Sequence, residues 1–158
     1  MAKNPDGSSN ISEKFQNRIK QIIDDQDFDK KDFPKFVEVS STVIIRATKY
    51  GIIPSLKTLI KIADKINVSL PYLLGETNNT EFYLSENPTT FHVRLEQLAN
   101  ERGEKFSKIA NHMPFAYNSI YEWMRTKGLP SLEHIKPLAD YFEVSIDYLL
   151  GRTDDRTI

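Results

Sequence analysis

One pattern in this chain is written twice, 76 positions apart. Pro54-Ser55-Leu56 returns as Pro130-Ser131-Leu132, and Ala63-Asp64 returns as Ala139-Asp140. Val68-Ser69, followed by Tyr72-Leu73-Leu74-Gly75, returns as Val144-Ser145, followed by Tyr148-Leu149-Leu150-Gly151. The register holds without a gap from Arg18 and Arg94 onward. A repeat of this length is one supersecondary unit used twice. At 158 residues the chain is long enough for two small domains, each closing a core of its own.

The periodicity inside each unit is helical throughout. Phe15, Ile19, Ile22 and Ile23 give an i, i+4, i+7, i+8 stripe for a first helix from about Ser12 to Asp25. Apolar beats follow at Phe28, Phe33, Val37 and Val39, with Pro34 tolerated in a first helical turn if Asp32 caps it. Residues 40–50 read as a helix with Ile44 and Ala47 inward. Ser55 opens a helix with Leu56, Leu59, Ile60, Ala63 and Ile66 on its apolar face. Ser69 caps a last short helix that Gly75 stops. In the second unit Phe91, Leu95, Leu98 and Ala99 repeat the first stripe, capped by Thr89 or Thr90 and stopped by Gly103. The expected organisation is therefore all-α: a disordered lead-in over 1–11, a first five-helix unit over 12–75, a linker over 76–88, a second unit over 89–151 and a tail over 152–158. Phe82, Tyr83 and Leu84 are apolar for a free linker and are expected to dock on a neighbouring surface.

Within the second unit, residues 116–125 read as an exposed helix with one buried seam. Ile120 and Trp123 face inward, and Trp123 is assigned to the core. Tyr117, Asn118, Tyr121, Glu122 and Arg125 share the outer face. Those groups hydrogen-bond to and stack on planar, anionic partners.

Each unit resembles the lambda-repressor/Cro-like helix-turn-helix family, also called the XRE family. The likeness rests on the run I-Y-E-W-M-R-T-K-G-L-P-S-L from Ile120, then L-A-D-Y-F-E-V-S-I-D-Y-L-L-G ending at Gly151. It implies five helices, the second and third forming the DNA-binding motif. By that resemblance the second helices are about Phe33–Val37 and residues 106–113, and the recognition helices residues 40–49 and 116–125. The groove-facing positions carry over as Ser41, Thr42, Ile45, Arg46 and Lys49, and as Tyr117, Asn118, Tyr121, Glu122 and Arg125. Asn suits adenine, Arg suits guanine, and Thr or Ile methyls suit the thymine methyl. Lys30, Lys31, Lys35 and Lys127 are the accompanying phosphate candidates. The chain departs from the family pattern at Pro34, where a small residue is usual, and at Glu38 and Pro114, where Gly is common. Lys30 and Phe106 stand where Gln is common, and Pro137 falls inside the fourth helix of the second unit.

Charge divides unevenly. Residues 18–75 hold ten Lys/Arg against seven Asp/Glu, while 94–151 hold seven against eight. The first unit is thus better suited to attracting phosphate, although the whole chain carries a formal charge of only −1. Lys57, Lys61 and Lys65 recur every four residues, as a solvated helix face does.

The absence of cysteine removes disulfides, thiol nucleophiles and thiolate metal sites. His92, His112 and His134 form no ligand set by spacing, and Glu133-His134 lacks the second His of a zinc motif. No nucleophile elbow, phosphate loop or paired-carboxylate signature appears, so neither an enzyme nor a cofactor is expected. The leading expectation is a cytoplasmic, sequence-specific transcriptional regulator, by resemblance a bacterial or phage repressor, whose partner is double-stranded DNA. The rival is a protein-interaction module, an antirepressor or repression modulator, whose partner is a second copy or another regulator. No membrane is expected as a partner, since no apolar run approaches spanning length.

Overall fold

The computed structural model describes residues 10–26 and 29–157. The expected lead-in up to residue 9, and the apolar beat at Phe28, lie outside the described residues. Among those described the secondary structure is helical, without a β-strand. The first unit contains α1 (Glu13–Asp25), a 3-10 turn (Lys30–Asp32), α2 (Phe33–Val37), α3 (Ser41–Tyr50), α4 (Leu56–Ile66) and α5 (Leu70–Leu73). The second contains α6 (Phe91–Arg102), α7 (Phe106–Ala110), α8 (Ser119–Thr126), α9 (Leu132–Phe142) and α10 (Ile146–Leu149).

Side-chain caps fix most starts. Ser12, Ser40, Ser55, Ser69, Thr90 and Ser145 each accept a backbone N–H from the first turn of their helix. Each satisfies one of the orphan donors at a helix start. Asp32 occupies the expected cap position of α2, but its side chain makes no capping bond. Left-handed residues end the helices at matching places: Gly51 and Lys127, Asn67 and Glu143, each pair 76 apart. α9 runs on through Pro137, whose ring removes the amide that would reach the carbonyl one turn back.

In the first unit α1 packs on α3 and α5, α2 on α3 and α4, and α4 on α5. Phe15, Ile19, Phe33, Leu59, Ile62, Leu70 and Leu73 are wholly buried. Ile62 joins Leu59 and Ala63 on the inner face of α4, whereas Ile60 and Ile66, expected there, are half-buried. In the second unit α10 packs on α6 and α9, and α7 on α8. Its core residues Phe91, Leu95, Ile109, Ile120, Ile135, Leu138 and Leu149 stand 76 positions after core residues of the first.

A buried arginine closes each unit. Arg18 of α1 lies with its guanidinium carbon 4.0 Å from the centre of the Tyr72 ring. It donates to the Tyr72 carbonyl, to the Thr77 carbonyl at 3.0 Å and to Asn78 Oδ1 at 2.7 Å. Arg94 of α6 lies 3.9 Å from the centre of the Tyr148 ring. It donates to the Thr153 carbonyl at 3.3 Å and to Asp154 Oδ1 at 3.2 Å. Gly75 and Gly151 allow the chain to turn back past the start of the bundle. Each has φ of +77°, and a Cβ there would sit 2.4 Å from the Lys14 carbonyl oxygen or 2.2 Å from that of Thr89.

The ends and the linker differ from expectation. Ile11, assigned to the lead-in, forms a bridge with Ile52, and Ile53 N–H donates to the Asn10 carbonyl at 2.8 Å. The expected linker 76–88 divides: one compact unit ends at Phe82 and the other begins at Tyr83. Thr153 Oγ1 donates to the Tyr83 carbonyl at 2.8 Å, and Ser85 N–H donates to the Arg152 carbonyl at 2.8 Å. It is this backbone, rather than the exposed side chains of Tyr83 and Leu84, that attaches. The expected tail is also structural: Arg152 is buried against Asp147, and Arg156 donates to both Glu101 oxygens at 2.9 and 2.8 Å. Backbone donors and acceptors at the ends of a small bundle need partners, and these segments provide them.

Arg18→Met or Arg94→Met keeps the apolar stem but strands the carbonyls, and should lower stability by about 1–3 kcal/mol in urea unfolding. Arg46→Ala, on an exposed face, should change it by less than about 0.5 kcal/mol. The Arg156 hydrogen bonds, and then one from Gln97, hold the Glu101 carboxyl at about 2 rather than 4.5. Its folded pKa is thus the lower one. The stability it contributes is complete above about pH 4.5 and is lost as pH falls toward 2. Side-chain NMR titration of Glu101 should give a midpoint near 2, and Arg156→Ala should return it toward 4.5.

Candidate nucleic-acid interface

The candidate reading face of the first unit begins with a tight turn. Glu38 ends α2 in the left-handed region (φ 59°), and its N–H reaches the Pro34 and Lys35 carbonyls. Val39 N–H donates to the Pro34 carbonyl at 3.0 Å. Ser40 then caps α3, accepting from Val43 N–H at 3.3 Å. Lys65 Nζ lies 3.2 Å from the Glu38 carboxylate, tying this turn to α4. α2 and α3 are thus joined by three residues, the connection a helix-turn-helix requires.

α3 turns Ile44 and Ala47 inward. Ser41, Thr42, Ile45, Arg46 and Lys49 are exposed together on the opposite side. Their spacing puts them on one face. Gln16 of α1 donates to the Thr48 and Lys49 carbonyls at 3.0 and 3.1 Å, fixing the end of α3 without touching that face. Among the described residues no carboxylate pairs with Arg46 or Lys49; the Lys49 ammonium lies 5.5 Å from the Tyr50 ring centre. Lys31 and Lys35 are exposed beside α2, and Lys30 opens the 3-10 turn before it.

The second unit builds its counterpart differently. α7 ends at Ala110 rather than 113, and α8 begins at Ser119 rather than 116, so eight residues connect them. Two substitutions at equivalent positions explain this. Pro114 replaces Glu38, and proline cannot take the positive φ that turned the chain there. Ala116 replaces Ser40 and has no oxygen with which to cap. Tyr117 and Asn118 therefore precede the helix instead of lying on it, though both are exposed. Asn118 holds the cap position without a side-chain cap bond. Phe115, in the longer connection, is buried against Trp123 with ring centres 4.9 Å apart.

On α8, Ile120 is buried and Trp123 is half-buried, edge-on to Phe91 at 6.1 Å and tilted beside His134. The small Ala47 of the first unit has become this indole, and the aromatic cluster fills the larger space. Tyr121 is half-exposed, its ring edge-on to Phe106 at 6.0 Å. Phe106, which no phosphate could use, thus positions Tyr121. Arg125 donates to Glu122 Oε2 at 2.6 Å. That bond and the attraction behind it lower the Glu122 pKa and raise that of Arg125. Lys127 is exposed in a left-handed C-cap. His92 Nε2 lies 2.8 Å from the Gly128 carbonyl, holding the end of α8 from the position Gln16 occupies in the first unit.

The three histidines lie in different surroundings: His92 on that carbonyl, His112 stacked on Tyr141, His134 between Phe115 and Trp123. Burial in this cluster lowers the His134 pKa. Sequence reasoning missed Gln16 and His92, because a polar residue beside an apolar stripe carries no sign of a partner so distant in the chain. It also missed the Glu122–Arg125 pair, although a spacing of three on one helix face is the signal for it. No helix among the described residues is long and apolar enough to cross a membrane. Comparison with models of known families, with characterised proteins and with solved structures gives no match.

Trp123→Ala should cost about 3 kcal/mol, the low end for aromatic-to-alanine changes, because the ring is only half-buried. Arg125→Ala, on an exposed side chain, should melt within a few degrees of the parent. Circular dichroism melting of both variants checks the assignment of the two faces; an unfolded Arg125→Ala would reverse it.

Proposed function

We propose that this chain is a sequence-specific DNA-binding transcriptional regulator built from two tandem five-helix domains of the lambda-repressor/Cro-like kind. On this reading it is a repressor that acts by occupying an operator. The observation that carries the reading is the exposed face of α3. A capped helix of ten residues, held from behind by α1 and joined to α2 by a three-residue turn, offers Ser41, Thr42, Ile45, Arg46 and Lys49 outward. An α-helix fits the B-DNA major groove. There Arg46 has the donor geometry for guanine, Thr42 and Ile45 have methyls for thymine, and Ser41 and Lys49 suit phosphate. Lys31 and Lys35, exposed beside α2, and Lys30 in the turn before it add to the positive balance of this unit.

Tyr117, Asn118, Tyr121, Glu122, Arg125 and Lys127 form the corresponding but chemically different face of the second unit. Any site bound by one chain is then asymmetric. The protein-interaction reading keeps one specific support: the aromatic face of the second unit, its only arginine already paired, suits a protein partner as well as DNA.

Anisotropy titration of duplex DNA from the chain's own genomic neighbourhood tests the proposal. With about five to eight phosphate contacts, log K against log salt should slope by about −4 to −7. A flat dependence, or no binding at low salt, would replace the regulator with the protein-interaction module.

A further inference from the structure

The second unit differs from the first most sharply in what its reading helix does with charge. Arg46 and Lys49 of α3 are exposed without a carboxylate partner among the described residues. Arg125 of α8 is as exposed, at 70% of its side-chain surface, yet its guanidinium is held at 2.6 Å by Glu122. Both members of the pair lie on the outer face, clear of the Ile120 seam. The pair adds nothing to the core. It neutralises the guanidinium that face would present to phosphate or guanine, leaving Lys127 as the cation there, and it places a carboxylate where polyanion would lie.

Resting on the DNA-binding reading above, we propose that Glu122 is an electrostatic brake on the second reading helix. It withholds Arg125 from DNA, so that the phosphate-driven affinity of the chain comes chiefly from the first unit. The second unit engages only where a site repays separation of the pair. A guanine supplies acceptors to Arg125, and a cytosine amino group supplies a donor to Glu122. At other sequences the separated carboxylate faces phosphate and opposes binding. Glu122 thereby sets specificity by rejection, a repulsive element beside an attractive one. The charge balance agrees: seven basic against eight acidic residues over 94–151, ten against seven over 18–75.

The experiment uses the full chain and a mixed-sequence duplex of about three helical turns, titrated by anisotropy over a range of salt. Glu122→Gln keeps the shape and removes the charge. It should bind about tenfold tighter than the parent, with a salt slope steeper by about one contact. Glu122→Gln with Arg125→Ala should return to within about threefold of the parent, because the gain requires the released guanidinium. Superimposable melting curves would assign these changes to the face and not to folding. If Glu122→Gln binds no tighter while parent and variant both keep the steep salt dependence, the brake is wrong and the DNA-binding reading stands. If the double variant stays as tight as Glu122→Gln, the gain is relief of repulsion alone and the withheld arginine is wrong. If neither parent nor variant binds duplex at any salt, the DNA-binding reading falls, and the brake with it.

Discussion

Each half of this molecule depends on a buried arginine in its first helix. An arginine inside an apolar stripe is costly unless every donor finds an acceptor. Arg18 and Arg94 direct guanidinium donors to carbonyl and side-chain oxygens at and just after the last helix of their own unit, although Arg94 Nε is buried without a partner, and both guanidinium groups lie over the tyrosine ring of that helix. The first helix is thereby fastened to the segment that follows the fifth. The acceptors are the Tyr72, Thr77 and Thr153 carbonyls and the side-chain oxygens of Asn78 and Asp154. Gly75 and Gly151 are needed because the returning chain passes too close to a backbone oxygen for any side chain. Arginine, tyrosine, glycine and acceptor segment form one device, and the sequence repeats it whole.

With the bundle closed this way, the third helix of each unit is a replaceable face on a fixed frame. Gln16 and His92 occupy the same place on the first helix and hold the same end of the third. Between them the two faces diverge for local reasons. Glu38 tolerates a left-handed turn and Ser40 caps; Pro114 and Ala116 can do neither. The second connection lengthens, Phe115 and Trp123 pack into it, and the helix starts two residues later than its counterpart. One frame thus carries an open basic face and a closed aromatic one.

Much of this was legible in the residues. Ser12, Ser40, Ser55, Ser69 and Thr90 marked helix starts because a short side-chain oxygen before an apolar run has one good use. Ile44, Ala47 and Ile120 marked inner seams by spacing. Arg18 was hidden because its partners lie 54 to 60 positions away and are mostly backbone atoms, which no residue pattern encodes. The late start of α8 was hidden because the repeat register placed residues 116–118 on a helix. Pro114 and Ala116, read as local chemistry, argued otherwise. The pairing of residues 83–85 with the tail was hidden for the same reason as the Arg18 contacts: backbone carries it.

On the DNA-binding reading, the outer face of α3 is where this chain meets DNA. Amide chemical-shift mapping of the full-length chain, titrated with duplex DNA at low salt, tests it most directly. The largest shifts should fall on Ser41, Thr42, Ile45, Arg46 and Lys49, with smaller ones at Lys31 and Lys35, while Ile44 and Ala47 move little. Shifts concentrated instead on residues 83–85 and 152–156, or no shifts along α3 at saturating DNA, would contradict it.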